Sequence, residues 1–502
     1  MASQVQSISS SGSSATVVDI QCHLSNNLPT IIIVGFANKA VTEARERLRG
    51  AFASSKLQLP RKRITINLAP ADIPKVDSGF DLAIAVAILR ASGQLRIGSL
   101  DNVGFIGELG LDGSTRAVRG IIGKLLAGRA QGLTHFFVPA ANMPQARLVP
   151  HIMLSPVQNL SQLYAHFNTT TLLEITDSNT TVLASNVVNN NYTIGMSEVV
   201  GQAQAKRALL IAAAGGHNVL LSGPPGTGKS MLAKALPSIL PPMDREEVLE
   251  VTHLHSLAGH EYEQIISERP FRTPHHSASH IAIIGGGAAL RPGEVSLAHR
   301  GVLFFDEFPE FSRQTLEALR QPLEDRVITV ARAKDSTEFP ADFILVATAN
   351  PCPCGFNGTS KPCVCPQHIV QHYQQKLSGP ILDRIDIHVS VSEIDHSALL
   401  TQPADRLADE ALRAAVTAAR KRQQARYGGV TVNASLDNAA LKRHALLRPA
   451  AKAILDSAAT EVSLSARAYM RVIKVARTIA DLADSRQITE EHILEALRFR
   501  PA

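Results

Sequence analysis

The sequence predicts an α/β protein in which a parallel β-sheet forms the central part, an α+β region precedes it and a helical region follows it. Three short apolar runs in the middle of the chain end in small or polar residues, as buried strands of parallel sheets do. These runs cover 219–221, 302–305 and 343–349. Upstream, β-type runs at 30–34 and 64–68 accompany a helix-like stretch at 80–89, and beyond about residue 390 the periodicity is helical.

These changes of pattern divide the 502 residues into four parts. We assign an N-terminal domain to 1–166, a linker to 167–193, a central domain to 194–390 and a helical domain to 391–502. The linker is rich in Asn, Thr and Ser and holds at most one strand. The central domain opens with a predicted helix over 202–213. The helices predicted for the last domain are 411–424, 439–459, 466–483 and 489–499.

Composition limits the classes of protein and partner. No apolar run approaches the roughly 20 residues that a membrane-spanning helix needs, and the first residues lack the basic and apolar parts of a secretion signal. We therefore expect a cytoplasmic protein with no membrane partner. The net charge of +6 is compatible with an anionic partner such as nucleic acid. The absence of Trp and the aromatic content of 4% argue against recognition of bases by aromatic stacking.

A phosphate-binding loop follows the first apolar run. It matches G-x-x-x-x-G-K-[ST] at every fixed position, with residues Gly223, Pro224, Pro225, Gly226, Thr227, Gly228, Lys229 and Ser230. The helix predicted at 230–236 completes the strand–loop–helix context that the motif requires and that a plain Gly/Pro surface turn does not. Backbone amides of such a loop cradle phosphate oxygens, Lys229 pairs with the β- and γ-phosphates, and Ser230 offers its hydroxyl to Mg²⁺. The motif predicts ATP and Mg²⁺ as cofactors.

Two carboxylates end the second apolar run. Asp306 and Glu307 follow it about 75 residues after the phosphate loop. The carboxyl ends of parallel strands meet at one edge of the sheet, where nucleotides bind. We expect Asp306 to hold Mg²⁺ and Glu307 to orient or deprotonate the water that attacks the γ-phosphate. Two acids after a strand are a weak signal alone, but the phosphate loop upstream makes the signal strong.

Three further polar residues are candidates for contact with the γ-phosphate. Asn350 ends the third apolar run, where a side-chain amide can position the attacking water. Arg384 follows a Pro-Ile-Leu turn and could reach the γ-phosphate of a neighbouring subunit. Arg467, at the start of a predicted helix, could report the nucleotide state. A surface salt bridge of little energetic weight is the alternative for each arginine.

Most of the cysteines are clustered directly after Asn350. They are Cys352, Cys354, Cys363 and Cys365. Clustered cysteines inside cells favour metal over disulfides, and four thiolates complete a tetrahedral Zn²⁺ site. Because C-x-C is tighter than the usual C-x₂-C, a metal-free loop and a redox-sensitive thiol cluster stay open as alternatives. Cys22 stands apart and is expected in the core. We interpret the histidines between 253 and 299 as polar groups of loops and of the pore face. A metal site is the alternative, disfavoured because His276 and His280 have the i, i+4 spacing but lie among loop-like residues, with no nearby carboxylate.

Several longer stretches carry a resemblance to a known family. Besides the phosphate loop, they are 200–209, 271–279, 285–287, 291–299, 305–311 and 349–355. On these residues the chain is identified as a member of the ComM/YifB family of AAA+ ATPases, in the magnesium-chelatase-like branch, over nearly its full length. The resemblance implies that Asn350 is the first sensor, Arg384 the arginine finger and Arg467 the second sensor. It also implies that 271–299 is an insertion in helix two that projects toward the pore of a ring.

The resemblance further implies an architecture and an activity. The family has an AAA+ core with a helical lid and resembles hexameric, ATP-driven DNA translocases that extend heteroduplex by branch migration during transformation. Single-stranded or branched DNA and further copies of the same chain would then be the partners.

The N-terminal domain resembles the Lon-protease-like, ribosomal-S-five-type fold of this family. The similar stretches are 68–75 and 104–126. A Lon protease needs a Ser nucleophile and a Lys base. The alignment places Gly79 and Ile122 at these two positions, with Ser78 beside the first. We therefore interpret the domain as a non-proteolytic binding or assembly module.

Three classes of function follow: a DNA-remodelling motor, the motor subunit of a metal chelatase that acts on a tetrapyrrole, and an ATP-dependent Lon-like protease. The fused Lon-like domain, the cysteine loop and the lack of a D-x-S-x-S motif argue against the chelatase. Gly79 and Ile122 argue against the protease. We predict a DNA-remodelling motor.

Overall fold

The computed structural model describes most of the chain. The described ranges are 2–11, 14–35, 39–70, 79–95, 100–168, 171–178, 194–259, 264–287, 290–331, 336–359, 361–377, 379–393, 406–429 and 431–500. Most of the predicted linker and Ser78 lie outside them. Within these ranges, no helix combines the length and the apolar character that crossing a membrane requires.

The N-terminal domain is a mixed β-sheet packed against helices. Its strands are β1 (Ala2–Ser11), β2 (Ser14–Ser25), β3 (Thr30–Val34), β4 (Arg63–Ala69), β5 (Val103–Phe105), β6 (Glu108–Leu109), β7 (Thr115–Arg116), β8 (His135–Pro139), β9 (Met153–Val157) and β10 (Thr176–Asp177). Its helices are α1 (Lys39–Ser54), α2 (Asp81–Ala91), α3 (Ile121–Ala130), α4 (Met143–Ala146) and α5 (Leu160–Phe167). The main sheet has the order β10-β9-β8-β5-β1-β2-β4-β3. The two β-type runs and the helix predicted in this region are confirmed.

Strand β1 separates two apolar cores. Val5 packs in the core that contains α2, whereas Ile8 packs in the core that contains α3. Odd and even residues of a strand point to opposite faces, so the two helices cover opposite sides of the sheet. Helix α2 is buried along almost its entire length, as expected for a helix that is apolar on all sides. Its acidic residue, Asp81, is paired with Arg47 at 2.6 Å.

The central domain alternates strands and helices. Its strands are β11 (Val219–Ser222), β12 (Phe271–Arg272), β13 (Gly285–Gly286), β14 (Arg291–Pro292), β15 (Val302–Phe305), β16 (Val327–Ala331), β17 (Ser336–Pro340), β18 (Ile344–Ala349) and β19 (Ile387–Ser390). Its helices are α6 (Ala203–Gly215), α7 (Lys229–Ala235), α8 (Arg245–Ala258), α9 (His280–Ile284), α10 (Glu294–Leu297), α11 (Arg313–Ala318), α12 (Arg320–Asp325), α13 (Gln367–Gln375) and α14 (Gly379–Leu382).

The main sheet of this domain is parallel, as predicted. Its order is β12-β15-β18-β11-β19, and each neighbouring pair is parallel. The three apolar runs of the sequence therefore form adjacent strands, and the loops that follow them meet at one edge of the sheet. The segment 271–299 begins as the edge strand β12 and continues through α9, the β13–β14 pair and α10.

The helical domain contains α15 (Arg406–Tyr427), α16 (Asn438–His444), α17 (Pro449–Glu461), α18 (Ala466–Leu482) and α19 (Glu490–Leu497). The prediction of one helix over 439–459 was wrong, because the chain forms α16 and α17 there. Arg448 is extended, with φ −68° and ψ 149°, since a residue before proline disfavours the helical region. Pro449 then occupies the first turn of α17, where its missing N–H costs nothing.

Helix α6 anchors the helical domain to the central sheet. One apolar core contains Leu209 of α6, Val416 of α15 and Val472 of α18. Buried polar contacts reinforce it: the ring of His217 lies 2.7 Å from the Thr478 hydroxyl and 3.1 Å from the Asp386 carboxylate. The helical domain is therefore fixed against α6.

Helix α8 of the central domain packs against the N-terminal domain. The Gly120 N–H donates to Ser256 Oγ at 2.7 Å. The His253 ring lies against Gly123, where a Cβ would come within 2.5 Å of the ring. Burial lowers the pKa of His253 to about 4, so the ring is neutral near pH 7. His253 and His255 lie on helix α8, so the interpretation of these two histidines as loop groups was wrong: Asp244 caps a helix that runs through both residues.

A buried ion pair lies at the start of α8. Glu247 accepts hydrogen bonds from the Arg269 guanidinium at 2.8 and 3.2 Å, and the two side chains are only 6% and 5% exposed. Arg269 also donates to the Pro241 and Arg300 carbonyls, both at 2.6 Å. Removal of one partner would leave an uncompensated buried charge, so this pair is costly to break.

Candidate functional site

The loop between β11 and α7 has a backbone shaped for an anion. Gly226 and Gly228 have φ angles of +80° and +85°, and a Cβ at either position would meet nothing within 4 Å. Glycine adopts this left-handed region without the strain of an L side chain, and consecutive amides in such turns form anion-binding concavities. The buried Thr227 hydroxyl donates to the Pro224 carbonyl at 3.0 Å, which closes the loop.

Lys229 lies at the start of α7 and is 8% exposed. Its Nζ donates to the Gly223 and Pro224 carbonyls, both at 2.7 Å, and to Asn350 Oδ1 at 3.2 Å. Burial lowers the pKa of Lys229, against the opposing effect of the nearby carboxylates. The lysine predicted to bind phosphate and the asparagine predicted to sense it are thus hydrogen-bonded to each other.

A short hydrogen-bond chain brings together the predicted Mg²⁺ ligands. Ser230 Oγ donates to Asp306 Oδ2 at 3.0 Å, and Thr348 Oγ1 donates to Asp306 Oδ1 at 2.6 Å. A hydroxyl and a carboxylate are the hard oxygen ligands that Mg²⁺ prefers. The residues therefore fit the ion that the sequence motif implies, with Ser230 and Asp306 as the side chains that would hold it.

Thr348 is a residue of the site that the sequence analysis missed. It lies in β18, is 1% exposed, and its hydroxyl also accepts the Glu307 N–H at 2.9 Å. One hydroxyl thereby positions both acidic residues. A polar residue inside the otherwise apolar strand Ile344–Ala349 was the available signal.

Glu307 has a strained backbone. Its φ and ψ are +53° and +52°, in the left-handed region, which costs a non-glycine residue about 1–3 kcal/mol and occurs mainly at functional sites. Buried Phe308 follows it in a short 3₁₀ turn over Phe308–Glu310. The strand, the turn and the Thr348 hydrogen bond together hold an exposed carboxylate at the tip of β15.

One cleft unites these groups. It has a volume of about 390 Å³ and is lined by residues 225–230 of the phosphate loop and by Asp306, Glu307, Thr348 and Asn350. Gly223 and Pro224, also predicted to bind phosphate, do not line it. Ligand pockets have volumes of this order. Apart from these two residues, the structure places in one cleft the loop and side chains that the sequence predicted for phosphate, Mg²⁺ and the attacking water.

The two predicted arginines lie elsewhere. Arg384 and Arg467 both form ion pairs with Glu324, and the distance for Arg467 is 3.6 Å. They line a second cleft, of about 440 Å³, which also contains Arg326, Arg471 and Lys474. Neither arginine lines the phosphate-loop cleft of its own chain.

The structure brings the four clustered cysteines together. Their sulfur atoms all lie within 4.8 Å of one another. Among the described residues, no other group of three or more His, Cys, Asp or Glu side chains has a geometry suited to a metal ion. Cys22 is buried in β2, as predicted.

The N-terminal domain shows neither member of a protease dyad at the aligned positions. Gly79 directly precedes Phe80 at the start of α2, and Ile122 is fully buried in α3. Lys124, on the same helix as Ile122, is buried and donates to the Ile8 carbonyl at 3.2 Å. Ser78 lies outside the described residues.

Comparison with known proteins gives matches along the whole chain. The family described as magnesium chelatase, subunit ChlI, matches residues 195–399; the family described as subunit ChlI of Mg-chelatase matches 20–142; and the ChlI C-terminal family matches 407–500. The chain is 41% identical to the competence protein ComM of Haemophilus influenzae, over 99% of this chain and 97% of that protein.

Other relatives differ in how much of the chain they cover. The YifB protein of Salmonella typhimurium is 40% identical over 97% of this chain and 95% of its own length. The magnesium-chelatase 38 kDa subunit of Rhodobacter capsulatus is 29% identical, over 31% of this chain and 49% of its own. The similarity to ComM and YifB thus extends through all three domains, whereas the similarity to that chelatase subunit is partial.

Proposed function

The chain belongs to the magnesium-chelatase-like family that includes ComM and YifB, and from this premise we propose that it is a ring-forming, ATP-hydrolysing motor that remodels DNA. The observation that carries the ATPase part is the cleft in which Lys229, Asp306, Glu307 and Asn350 converge.

The proposed hydrolysis assigns one task to each residue. Loop amides and Lys229 bind the phosphates, and Lys229 exchanges its loop carbonyl partners for phosphate oxygens. Ser230 and Asp306 are the side chains that would hold Mg²⁺, which would supply positive charge against the phosphates. Glu307 accepts the proton of the attacking water, and Asn350 orients that water.

The position of the arginines supports a ring. Arg384 and Arg467 are gathered around Glu324, away from the cleft of their own chain. An arginine that stabilises the charge of phosphoryl transfer must reach the γ-phosphate. We infer that both arginines act on the nucleotide of a neighbouring subunit, Arg384 as the arginine finger and Arg467 as the second sensor. That the ring is a homo-hexamer is what the resemblance to the family implies.

DNA is the proposed substrate because the full-length relatives include a competence protein. We infer a branch-migration helicase that acts during the uptake and integration of DNA by homologous recombination. The N-terminal domain is proposed to be a Lon-like module that binds or assembles without proteolysis, since Gly79 and Ile122 supply neither nucleophile nor base.

Measuring ATP hydrolysis with and without single-stranded and branched DNA tests this function. The salt concentration is kept the same in all reactions, because binding to DNA depends on salt. The Glu307→Gln variant serves as the blank. Stimulation by DNA that is lost in the variant is the expected result. Turnover that is indifferent to both DNA forms would refute the DNA-motor proposal and favour a chelatase-type partner.

A further inference from the structure

The cysteine cluster has the spacing of a single tetrahedral metal site. The sulfur–sulfur distances are 3.3 Å for Cys352 to Cys354, 3.7 Å for Cys352 to Cys363 and 3.6 Å for Cys354 to Cys363. A zinc–sulfur bond of about 2.3 Å implies an edge of about 3.8 Å for a tetrahedron of four sulfurs. The three distances lie close to that edge, and Cys365 completes the group within 4.8 Å.

The surroundings of the cluster also suit thiolate ligands. The Asn357 N–H donates to Cys352 Sγ at 3.4 Å, the kind of backbone support that orients metal ligands. Cys352 is buried, while the other three thiols are partly exposed, so an ion can reach the cluster. Four sulfur ligands in a tetrahedron select zinc or iron over Mg²⁺.

The cluster lies directly against the phosphate loop. Gly355, in the same loop as the cysteines, has a φ of +86°, and a Cβ there would come 2.5 Å from Cδ of Pro225. The chain segment that carries Cys352 starts at Asn350, which contacts Lys229 at 3.2 Å. A rigid cysteine loop would therefore fix both the outer side of the phosphate loop and the sensing asparagine.

We propose that Cys352, Cys354, Cys363 and Cys365 bind one Zn²⁺ ion, and that this zinc site holds the phosphate loop in its nucleotide-binding shape through the Gly355–Pro225 contact. The metal-binding half stands by itself. The coupling half rests on the proposed binding of ATP.

Metal analysis of the full chain, purified without added zinc, tests the first half. We expect about one zinc per chain, retention of that zinc in Cys22→Ala, and its loss in Cys363→Ser. If Cys363→Ser does not fold, release of zinc from the parent chain by a mercurial reagent, with four thiols freed per ion, replaces it. Iron in place of zinc, no metal, or disulfides among the four cysteines would overturn the site.

Two glycine variants of the same loop test the coupling. Gly355→Ala places a methyl group on Pro225, and we expect it to weaken binding of a fluorescent ATP analogue roughly 10- to 100-fold, the range that overpacking by an added methyl group costs. Gly358→Ala is the matched control, because Gly358 has a φ of +76° but no neighbour within 4 Å.

The outcomes separate the two halves. Equal affinities in the two glycine variants, with zinc retained in both, would overturn the coupling and leave the metal site intact. Zinc in a parent chain that binds no ATP analogue would contradict the proposed ATPase and the coupling, but not the metal site.

Discussion

Replacement of Thr348 by valine is expected to impair hydrolysis while the fold is preserved. The change keeps the branched shape but removes the hydroxyl that donates to Asp306 at 2.6 Å and accepts from Glu307 N–H at 2.9 Å. A hydrogen bond to a charged group contributes about 1.5–3 kcal/mol. At 1.36 kcal/mol per factor of ten, loss of the Asp306 bond should lower kcat/KM for Mg-ATP by about 10- to 150-fold.

The assay is ATP hydrolysis as a function of Mg²⁺ concentration. Because Thr348 positions the carboxylate that would hold the ion, Thr348→Val should need more Mg²⁺ for half-maximal rate, whereas binding of ATP without Mg²⁺ should be unchanged. Thr337→Val is the control, since Thr337 is 9% exposed in β17 and lies outside the cleft.

Hydrolysis by Thr348→Val within about twofold of the parent at every Mg²⁺ concentration would refute the argument, because such a change is far below the expected hydrogen-bond energy. A loss of activity that more Mg²⁺ does not change, together with a lowered melting temperature, would assign Thr348 a role in stability alone.

Three further predictions use other parts of the molecule. Lys229→Ala and Arg384→Ala should each abolish turnover, and mixing the two variants should restore part of it. At some interfaces of a mixed ring, the Arg384→Ala subunit supplies an intact cleft and the Lys229→Ala subunit supplies an intact arginine. No recovery in verified mixed rings would contradict action between subunits. Glu247→Ala should destabilise the fold by about 3–5 kcal/mol because it leaves the buried Arg269 without its carboxylate partner. The control is Glu46→Ala, which removes an ion pair with Arg49 whose side chains are 71% and 50% exposed, and which should leave the melting temperature nearly unchanged. The pKa of His253 is lowered from 6.5 to about 4, so the unfolded state takes up the proton first as the pH falls. Stability should then drop between pH 6.5 and 4, by at most about 2 kcal/mol at pH 5, and thermal unfolding of His253→Gln should show a smaller drop than the parent does.

The sequence predicted the parts of the fold that depend on local pattern. Apolar runs that end in small or polar residues predicted the parallel strands β11, β15 and β18, and loop chemistry predicted the turn between β11 and α7 that we propose to bind phosphate. The same local reasoning failed over 439–459, where the apolar period continues across Pro449 but the helical backbone is interrupted at Arg448. Periodicity reports which residues can share a face, whereas proline acts on the backbone of the residue before it.

Contacts between distant residues were decided by the tertiary structure alone. The sequence determined that a phosphate loop, two carboxylates, an asparagine and four cysteines exist, because each motif is a short run with its own chemistry. It did not determine that Thr348 bonds to both Asp306 and Glu307, that Gly355 touches Pro225, or that Arg384 and Arg467 meet at Glu324. These contacts depend on the order of strands in a sheet and on the packing of helices against it, and they arise only when segments far apart in the chain are brought together.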